Sequence, residues 1–188
     1  NGDYVATGAQ LRDTGGANRG EVFIHFKDSA GYSLQAAIQS DDIANGDKFG
    51  NAVAINDAGD TLVVGAWFEN NNGAPGAAYI FTRSGTTWSQ QAKLTPSDHP
   101  GNNDVWYFGK GVDISNDGNS VIIGCLNAEI GGQEAVGAAY IFNNITEKYN
   151  LATEGKINYY ILSGGEGRTE KGNIDTLGYK GLKTKNGK

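Results

Sequence analysis

Four aspartates stand shortly before a repeated Phe-Gly pair, and they are the residues best placed to bind a cation. Asp42 and Asp47 lie in the stretch DDIANGDKFG, and Asp98 and Asp104 lie in SDHPGNNDVWYFG. Carboxylate oxygens on loops are the ligands that Ca²⁺ prefers. We expect no cofactor, and calcium at these four aspartates is the alternative that the sequence leaves open.

The residue types needed for catalysis do not occur in a working arrangement. His25 and His99 are the two histidines, and neither has a cysteine or a second histidine at the spacing of a zinc site. No G-x-S-x-G segment occurs, and Cys125 lies in the apolar run VIIGC without a basic neighbour. We therefore expect a protein that is not an enzyme.

Four aromatic residues near loops are candidate contacts for a ligand or a partner: Trp67, Phe68, Trp106 and Tyr107. Large rigid rings provide much contact area for little loss of conformational entropy. Each ring could instead pack inside the fold, and the sequence leaves both interpretations open. Separately, the sequon NIT makes Asn144 a candidate glycosylation site.

The overall charge limits the classes of partner. The net charge is -6 and the pI is about 4.8, which works against attraction to phosphate backbones, so no nucleic-acid partner is expected. No apolar run approaches the roughly 18 residues that a membrane span needs, so no membrane span is expected either. The sequence also holds 29 glycines, which indicates many tight turns.

One unit of about 60 residues recurs along the chain. Three motifs return in the same order: FG at 49–50 and 108–109, TLVVGA or SVIIGC at 61–66 and 120–125, and GAAYIF at 76–81 and 137–142. The start of the chain is a third copy, because GDYVATGA at 2–9 matches GDTLVVGA at 59–66. This first copy therefore lacks its opening strand.

Each complete copy is predicted to form four short strands, which in the central copy lie near 50–56, 61–67, 76–83 and 87–95. Val53 and Ile55 alternate with small residues, which is typical of a half-buried strand, whereas LVV and AAYIF are continuous enough to be buried on both faces. Apolar residues do not recur at helical spacing, so an all-β chain is predicted. Tandem four-stranded antiparallel units of this length are typical of β-propeller blades.

The repeat predicts about three blades and a tail: an incomplete first blade at 1–48, a second blade at 49–107, a third blade at 108–150, and a divergent C-terminal segment at 151–188. Three blades do not close a ring, so the chain is a partial propeller or one that is completed by other chains. A strand at 157–163 could pair with an exposed edge, either as an extra strand or as one exchanged between chains.

The FG pair, the VVGA run, GAAYIF and the ending TTWSQQAKLTPSD resemble the FG-GAP repeat, the blade of the integrin α-subunit propeller, over about residues 2–150. The resemblance implies a non-catalytic module of the cell surface or extracellular space, used for adhesion or for binding another protein. Its contact surface would be the loops at 67–75, 98–107 and 126–136.

The chain departs from the calcium loop that many such repeats carry before the VGA strand. INDAGDT and ISNDGNS occupy that place, and they hold too few carboxylates at alternating positions. Asp57, Asp60 and Asp117 are therefore predicted to form turns.

Two alternatives to adhesion remain open. Because three blades do not close, the chain could be a structural subunit that self-assembles through open blade edges into a filament or a larger ring. Exposed aromatic rings beside loops rich in Asn and Asp would also suit a carbohydrate-binding propeller. The expected partner is accordingly another protein, a second copy of this chain, or a glycan.

Overall fold

A computed structural model describes residues 2–69, 75–101, 105–129 and 137–143, together with the backbone of three further strands at 157–163, 169–175 and 178–183. The strands of this described part, numbered in chain order, are β1 Tyr4–Ala9, β2 Glu21–Asp28, β3 Gly31–Ile38, β4 Val53–Ile55, β5 Thr61–Ala66, β6 Ala77–Ser84, β7 Thr87–Leu94, β8 Phe108–Ile114, β9 Ser120–Cys125, β10 Ala138–Asn143, β11 Ile157–Ser163, β12 Thr169–Asp175 and β13 Gly178–Lys183.

The predicted all-β class is confirmed, since the described residues fold into strands, turns and loops. In that part of the chain, no helix has the length and apolar character needed to cross a membrane.

The strands form three antiparallel sheets in which neighbours in sequence pair with each other. The first sheet is β1-β2-β3, the second is β4-β5-β6-β7, and the third runs from β8 to β13. The first sheet lacks an opening strand, as the repeat predicts. In the third sheet, β11 pairs with β10 and lies at the position of a fourth strand, so this sheet continues past residue 150 within the same chain.

A tight turn joins the first two strands of each complete blade. Gly59 has a φ of +65° and Gly118 has a φ of +74°, a region that glycine enters without steric cost. The Asn56 Oδ1 atom accepts hydrogen bonds from the backbone N–H groups of Asp60 and Thr61 at 3.1 and 3.0 Å. Asp60 is therefore a turn residue, as the sequence predicts.

The second sheet is buried on both faces. Leu62 and Val64 pack against Val22 and Ile24 of the first sheet, whereas Val63 packs in the cluster that includes the third sheet. All these side chains are fully buried. Neighbouring residues of one strand thus enter two different cores, which explains the continuous apolar runs.

The Phe of each FG pair fills the junction between two sheets. The Phe49 ring lies 5.6 Å from Tyr79 and 5.8 Å from Phe81, both edge to face. Phe108 repeats the arrangement at 5.1 Å from Tyr140. Such pairs contribute about 0.5–1.5 kcal/mol beyond the area that they bury.

Glycine allows the backbones of adjacent sheets to touch. A Cβ atom on Gly8 would lie 1.9 Å from the carbonyl oxygen of Gly50, and one on Gly65 would lie 2.0 Å from that of Gly109. These distances are far inside van der Waals contact, so a side chain at either position would push the sheets apart.

Candidate functional site

Three half-buried rings gather where the second and third sheets meet. Trp67 and Phe68 directly follow β5, and Tyr107 directly precedes β8. The Trp67 ring centroid lies 5.1 Å from both Phe68 and Tyr107. The structure therefore brings three of the four predicted contact residues together.

Two lysines lie against this aromatic cluster. The Lys110 Nζ atom is 3.9 Å from the Trp67 ring centroid, and the Lys48 Nζ atom is 4.4 Å from the same centroid and 4.9 Å from Phe68. Cations at these distances are attracted to the negative face of a ring by about 0.5–1 kcal/mol at an exposed site. We name Lys48, Trp67, Phe68, Tyr107 and Lys110 the lysine–tryptophan patch.

The backbone adopts the left-handed conformation at two patch residues. Lys48 and Tyr107 each have a φ of +57°, and each immediately precedes an FG pair. A residue with a Cβ atom pays on the order of 1 kcal/mol or more for this conformation, which is found most often at functional sites. The Lys48 amide is held there by a hydrogen bond of 3.2 Å to the Asn18 carbonyl.

Asn51 and Gln10 hold the patch in place. The Asn51 side chain accepts a hydrogen bond from the Trp67 amide at 3.3 Å and donates one to the Lys110 carbonyl at 2.9 Å. The Trp67 indole N–H donates to Gln10 Oε1 at 3.3 Å. Trp67 and Lys110 are therefore positioned by one shared side chain.

Of the two interpretations that the sequence leaves open for Trp106, the structure supports packing inside the fold. Trp106 is only 2% exposed and belongs to the core between the second and third sheets, with the His99 ring 4.9 Å away. The reason is positional, because Trp106 stands two residues before its FG pair, as the 2%-exposed Asp47 does in the preceding unit. This position points inward in both units, whereas the next residue points outward.

The aspartates proposed as cation ligands have protein partners. Asp42 accepts hydrogen bonds from the Tyr79 hydroxyl at 2.9 Å and from Lys93 Nζ at 2.6 Å, and Asp98 accepts one from the Tyr140 hydroxyl at 2.7 Å. Asp47 accepts one from the backbone of Ala44 at 2.6 Å.

No cation site emerges from these aspartates in the part of the chain that the structure covers. Among its residues, no three His, Cys, Asp or Glu side chains form a group that could hold a metal ion. Asp104 and the candidate glycosylation site Asn144 lie outside the described residues.

Lys93 forms ion pairs with two carboxylates that differ in burial, at the junction of the first and second sheets. It donates to Asp42 and to the buried Glu69, both at 2.6 Å. Burial raises the pKa of Glu69 above its ordinary value despite the lysine. Burial also acts to raise the pKa of Asp42, but the hydrogen bonds from Lys93 and Tyr79 outweigh it and leave that pKa lowered.

The next junction keeps the Tyr–Asp hydrogen bond but carries apolar residues at two positions that are acidic at the first junction. Ala128 stands where the repeat places Glu69, and Trp106 stands where it places Asp47. Both replacements are buried in the second core. The buried carboxylate that Lys93 contacts, Glu69, is therefore not repeated at the next junction.

Sequence reasoning missed the two lysines of the patch and Asn51. A signal was present in the repeat, because an offset of 59 places Lys48 with Tyr107 and Asn51 with Lys110. The residues just before and just after each FG pair thus belong to the site in both units. Only the fold reveals that these residues surround Trp67.

Tandem antiparallel sheets packed face to face through FG pairs and glycines define a β-propeller-type repeat protein. The sequence model of one family, described as the FG-GAP repeat, matches residues 32–81 and 88–142. These matches cover more than half of the chain, which therefore belongs to the FG-GAP repeat family. A comparison with curated proteins gives no match.

The family matches cross the junctions between sheets. Each begins near the last strand of one sheet, β3 or β7, and ends in the third strand of the next, β6 or β10. One match therefore includes both Asp42 and Tyr79, and the other includes both Asp98 and Tyr140. FG-GAP repeats form generally non-catalytic β-propeller modules for protein interaction, typically in extracellular or surface proteins.

Proposed function

We propose that this chain is a non-catalytic extracellular module that binds another protein in adhesion, and that the lysine–tryptophan patch is its contact surface. Family membership supports the class of function. The observation that carries the location is the clustering of three half-buried rings and two lysines around Trp67 at the ends of adjacent sheets.

The composition of the patch suits a protein partner. Tryptophan and tyrosine are enriched among the residues that dominate binding energy, because they bury a large area and keep a polar group available. Asn51 already holds the Trp67 backbone amide and Gln10 holds its indole N–H, so little conformational entropy is lost on binding.

A displayed library of random peptides, selected on the immobilised chain, tests this function. Peptides that bind the natural chain should lose at least about tenfold in affinity on the Trp67→Ala variant, as expected for a central aromatic anchor. Tyr32→Ala is the matched control, because Tyr32 is 51% exposed on the first sheet, away from the patch. Equal loss on both variants, or no selected peptide, would contradict the proposed contact surface.

A second candidate function is self-assembly through the open sheet faces. Ile122 is 39% exposed at the position where Val63 of the second sheet is fully buried. Among the described residues, a Cβ atom on Gly124 would approach nothing closer than 3.6 Å, although its equivalents Gly8 and Gly65 each touch the next sheet. The outer face of the third sheet thus retains the surface that the second sheet uses for packing.

The occupant that this surface suits is the first sheet of a second copy. That sheet leaves Val5 and Leu34 exposed by 37% and 57% on the face away from the second sheet. Contact between these two different faces would be heterologous, so it would build a ring or a filament.

Light scattering across a concentration series tests assembly. Copies should associate as the concentration rises, and Ile122→Asp should reduce that association because it places a charge in the contact. Asp41→Lys, a charge change at an exposed position in the connection between the first and second sheets, is the control. A monodisperse monomer at all concentrations would eliminate this candidate.

A further inference from the structure

We infer that the lysine–tryptophan patch recognises a carboxylate, supplied by an acidic residue beside an apolar side chain in the partner protein. The inference rests on the proposed interaction function and names the chemistry of the partner.

The two ammonium groups of the patch are held close together. Their distances to the Trp67 ring centroid are 3.9 and 4.4 Å, so the two Nζ atoms are at most 8.3 Å apart. Two like charges at this separation repel each other, and one ring compensates them only in part. A carboxylate can accept a hydrogen bond of roughly 2.8 Å at each of its oxygens, which suits a position between two such groups.

Neither of these lysines has an acidic partner in the part of the chain that the structure describes. The ion pairs there belong to Arg12 and Lys93, and no carboxylate oxygen lies within 4.0 Å of Lys48 or Lys110. Lys93 shows what a compensated lysine looks like in this protein, since it has two carboxylate oxygens at 2.6 Å. Among the described residues, the ammonium groups of the patch lysines lie against aromatic faces.

Backbone conformation supports a binding role for these side chains. Lys48 is kept at a positive φ, where its side chain reaches Trp67 and Phe68. The equivalent residue Tyr107 adopts the same φ and contacts Trp67 from the next unit. The unfavourable positive φ therefore occurs at two residues of the same patch.

The surroundings favour a protein carboxylate over an extended polyanion. The chain carries a net charge of -6, so a long sulfated or phosphorylated polymer would be repelled by most of the surface. A single carboxylate between the two lysines would leave the rest of this surface uncontacted. An apolar side chain next to it would pack on Phe68 and Tyr107, which flank the Trp67 ring at 5.1 Å.

The same peptide library provides the test, with charge variants in place of the aromatic ones. Peptides selected on the natural chain should be enriched in Asp or Glu next to an apolar residue. Their affinity should fall by about tenfold or more on the Lys48→Gln/Lys110→Gln variant and should weaken as salt is added. Lys27→Gln is the matched control, because the Lys27 Nζ atom lies 5.8 Å from the Tyr32 ring, a similar contact outside the patch.

The other outcomes separate this inference from the proposed function. If the selected peptides are neutral or basic and require Trp67 but not the lysines, the patch does not recognise a carboxylate. The proposed interaction function would still hold. A heparin oligosaccharide that binds more tightly than the acidic peptides, through the same lysines, would overturn it in favour of an anionic glycan. If no peptide is selected, both the inference and the proposed contact surface fail.

Discussion

The Tyr79 hydroxyl donates a hydrogen bond of 2.9 Å to Asp42, which lies in the connection between the first and second sheets. Tyr140 repeats this bond to Asp98 at 2.7 Å, in the connection between the second and third sheets. The loop that leaves one blade is thus fixed to the third strand of the next. Asp42 and Asp98, two of the four aspartates that the sequence offered as cation ligands, form these hydrogen bonds between blades.

Removing one hydroxyl should weaken a junction without disturbing its packing. We expect Tyr79→Phe and Tyr140→Phe each to lower the free energy of unfolding by about 1–2 kcal/mol, as for a partly buried hydrogen bond to a charged group. Urea unfolding measures this loss. Tyr32→Phe is the control, because its exposed hydroxyl bonds only to the Gly2 carbonyl among the described residues. Similar losses in all three variants would contradict a special role for the Tyr–Asp pairs.

Gly65 and Gly124 are equivalent in sequence but differ in surroundings. Gly65→Ala should cost about 2 kcal/mol or more, because the new Cβ atom would lie 2.0 Å from the Gly109 carbonyl oxygen. Gly124→Ala should change stability by less than about 0.5 kcal/mol, because the nearest atom of the described residues is 3.6 Å from the new Cβ atom. Thermal unfolding of the two variants compares them directly. Equal destabilisation would mean that the third sheet is already covered by another sheet.

The repeat made the fold predictable from sequence because it fixes spacing and burial together. LVV and AAYIF predicted a sheet buried on both faces, and Leu62 and Val63 confirm this by entering opposite cores. The turn glycines and the missing opening strand were predictable for the same reason. Each follows from local chemistry or from comparison of one copy with another.

The site was less predictable, because neighbouring residues beside a strand can point either into the core or toward the surface. Trp106 and Tyr107 look equally available in sequence, but the first is in the core and the second is half-buried beside Trp67. Tyr107 also has a positive φ, which its residue type does not predict. Lys48 and Lys110 meet at Trp67 only after two units pack together.

Glu69 and Asp42 share Lys93, yet they should affect stability with opposite dependence on pH. A raised pKa means that folded Glu69 keeps a proton that the unfolded chain releases, so stability is lost as the pH rises from 4.5 through the raised value. Glu69→Gln removes this loss. The stability of that variant relative to the natural chain should therefore increase between about pH 4 and pH 7.

Asp42→Asn should show the opposite trend. The pKa of Asp42 is lowered from 3.8, so its ionised form stabilises the fold above that pH, and the contribution is lost as the pH falls through the lowered value. The variant should be weakest relative to the natural chain near neutral pH, and the gap should close in acid. Urea unfolding at a series of pH values measures both differences. If the free energies of unfolding of the two variants, relative to the natural chain, changed with pH in the same direction, the opposite pKa shifts of Glu69 and Asp42 would be contradicted.

Trp67 and Trp106 should separate cleanly into a surface residue and a core residue. Trp106→Ala should cost about 3–5 kcal/mol, as for a large side chain removed from a core, because Trp106 is 2% exposed. Trp67→Ala should cost only about 1 kcal/mol, since it removes a half-buried ring and its contacts with two lysines. Urea unfolding measures both, and Trp106→Phe supplies a milder core variant if Trp106→Ala does not fold. If Trp67→Ala proved as costly as Trp106→Ala, Trp67 would be part of the core, and the patch could not serve as a contact surface.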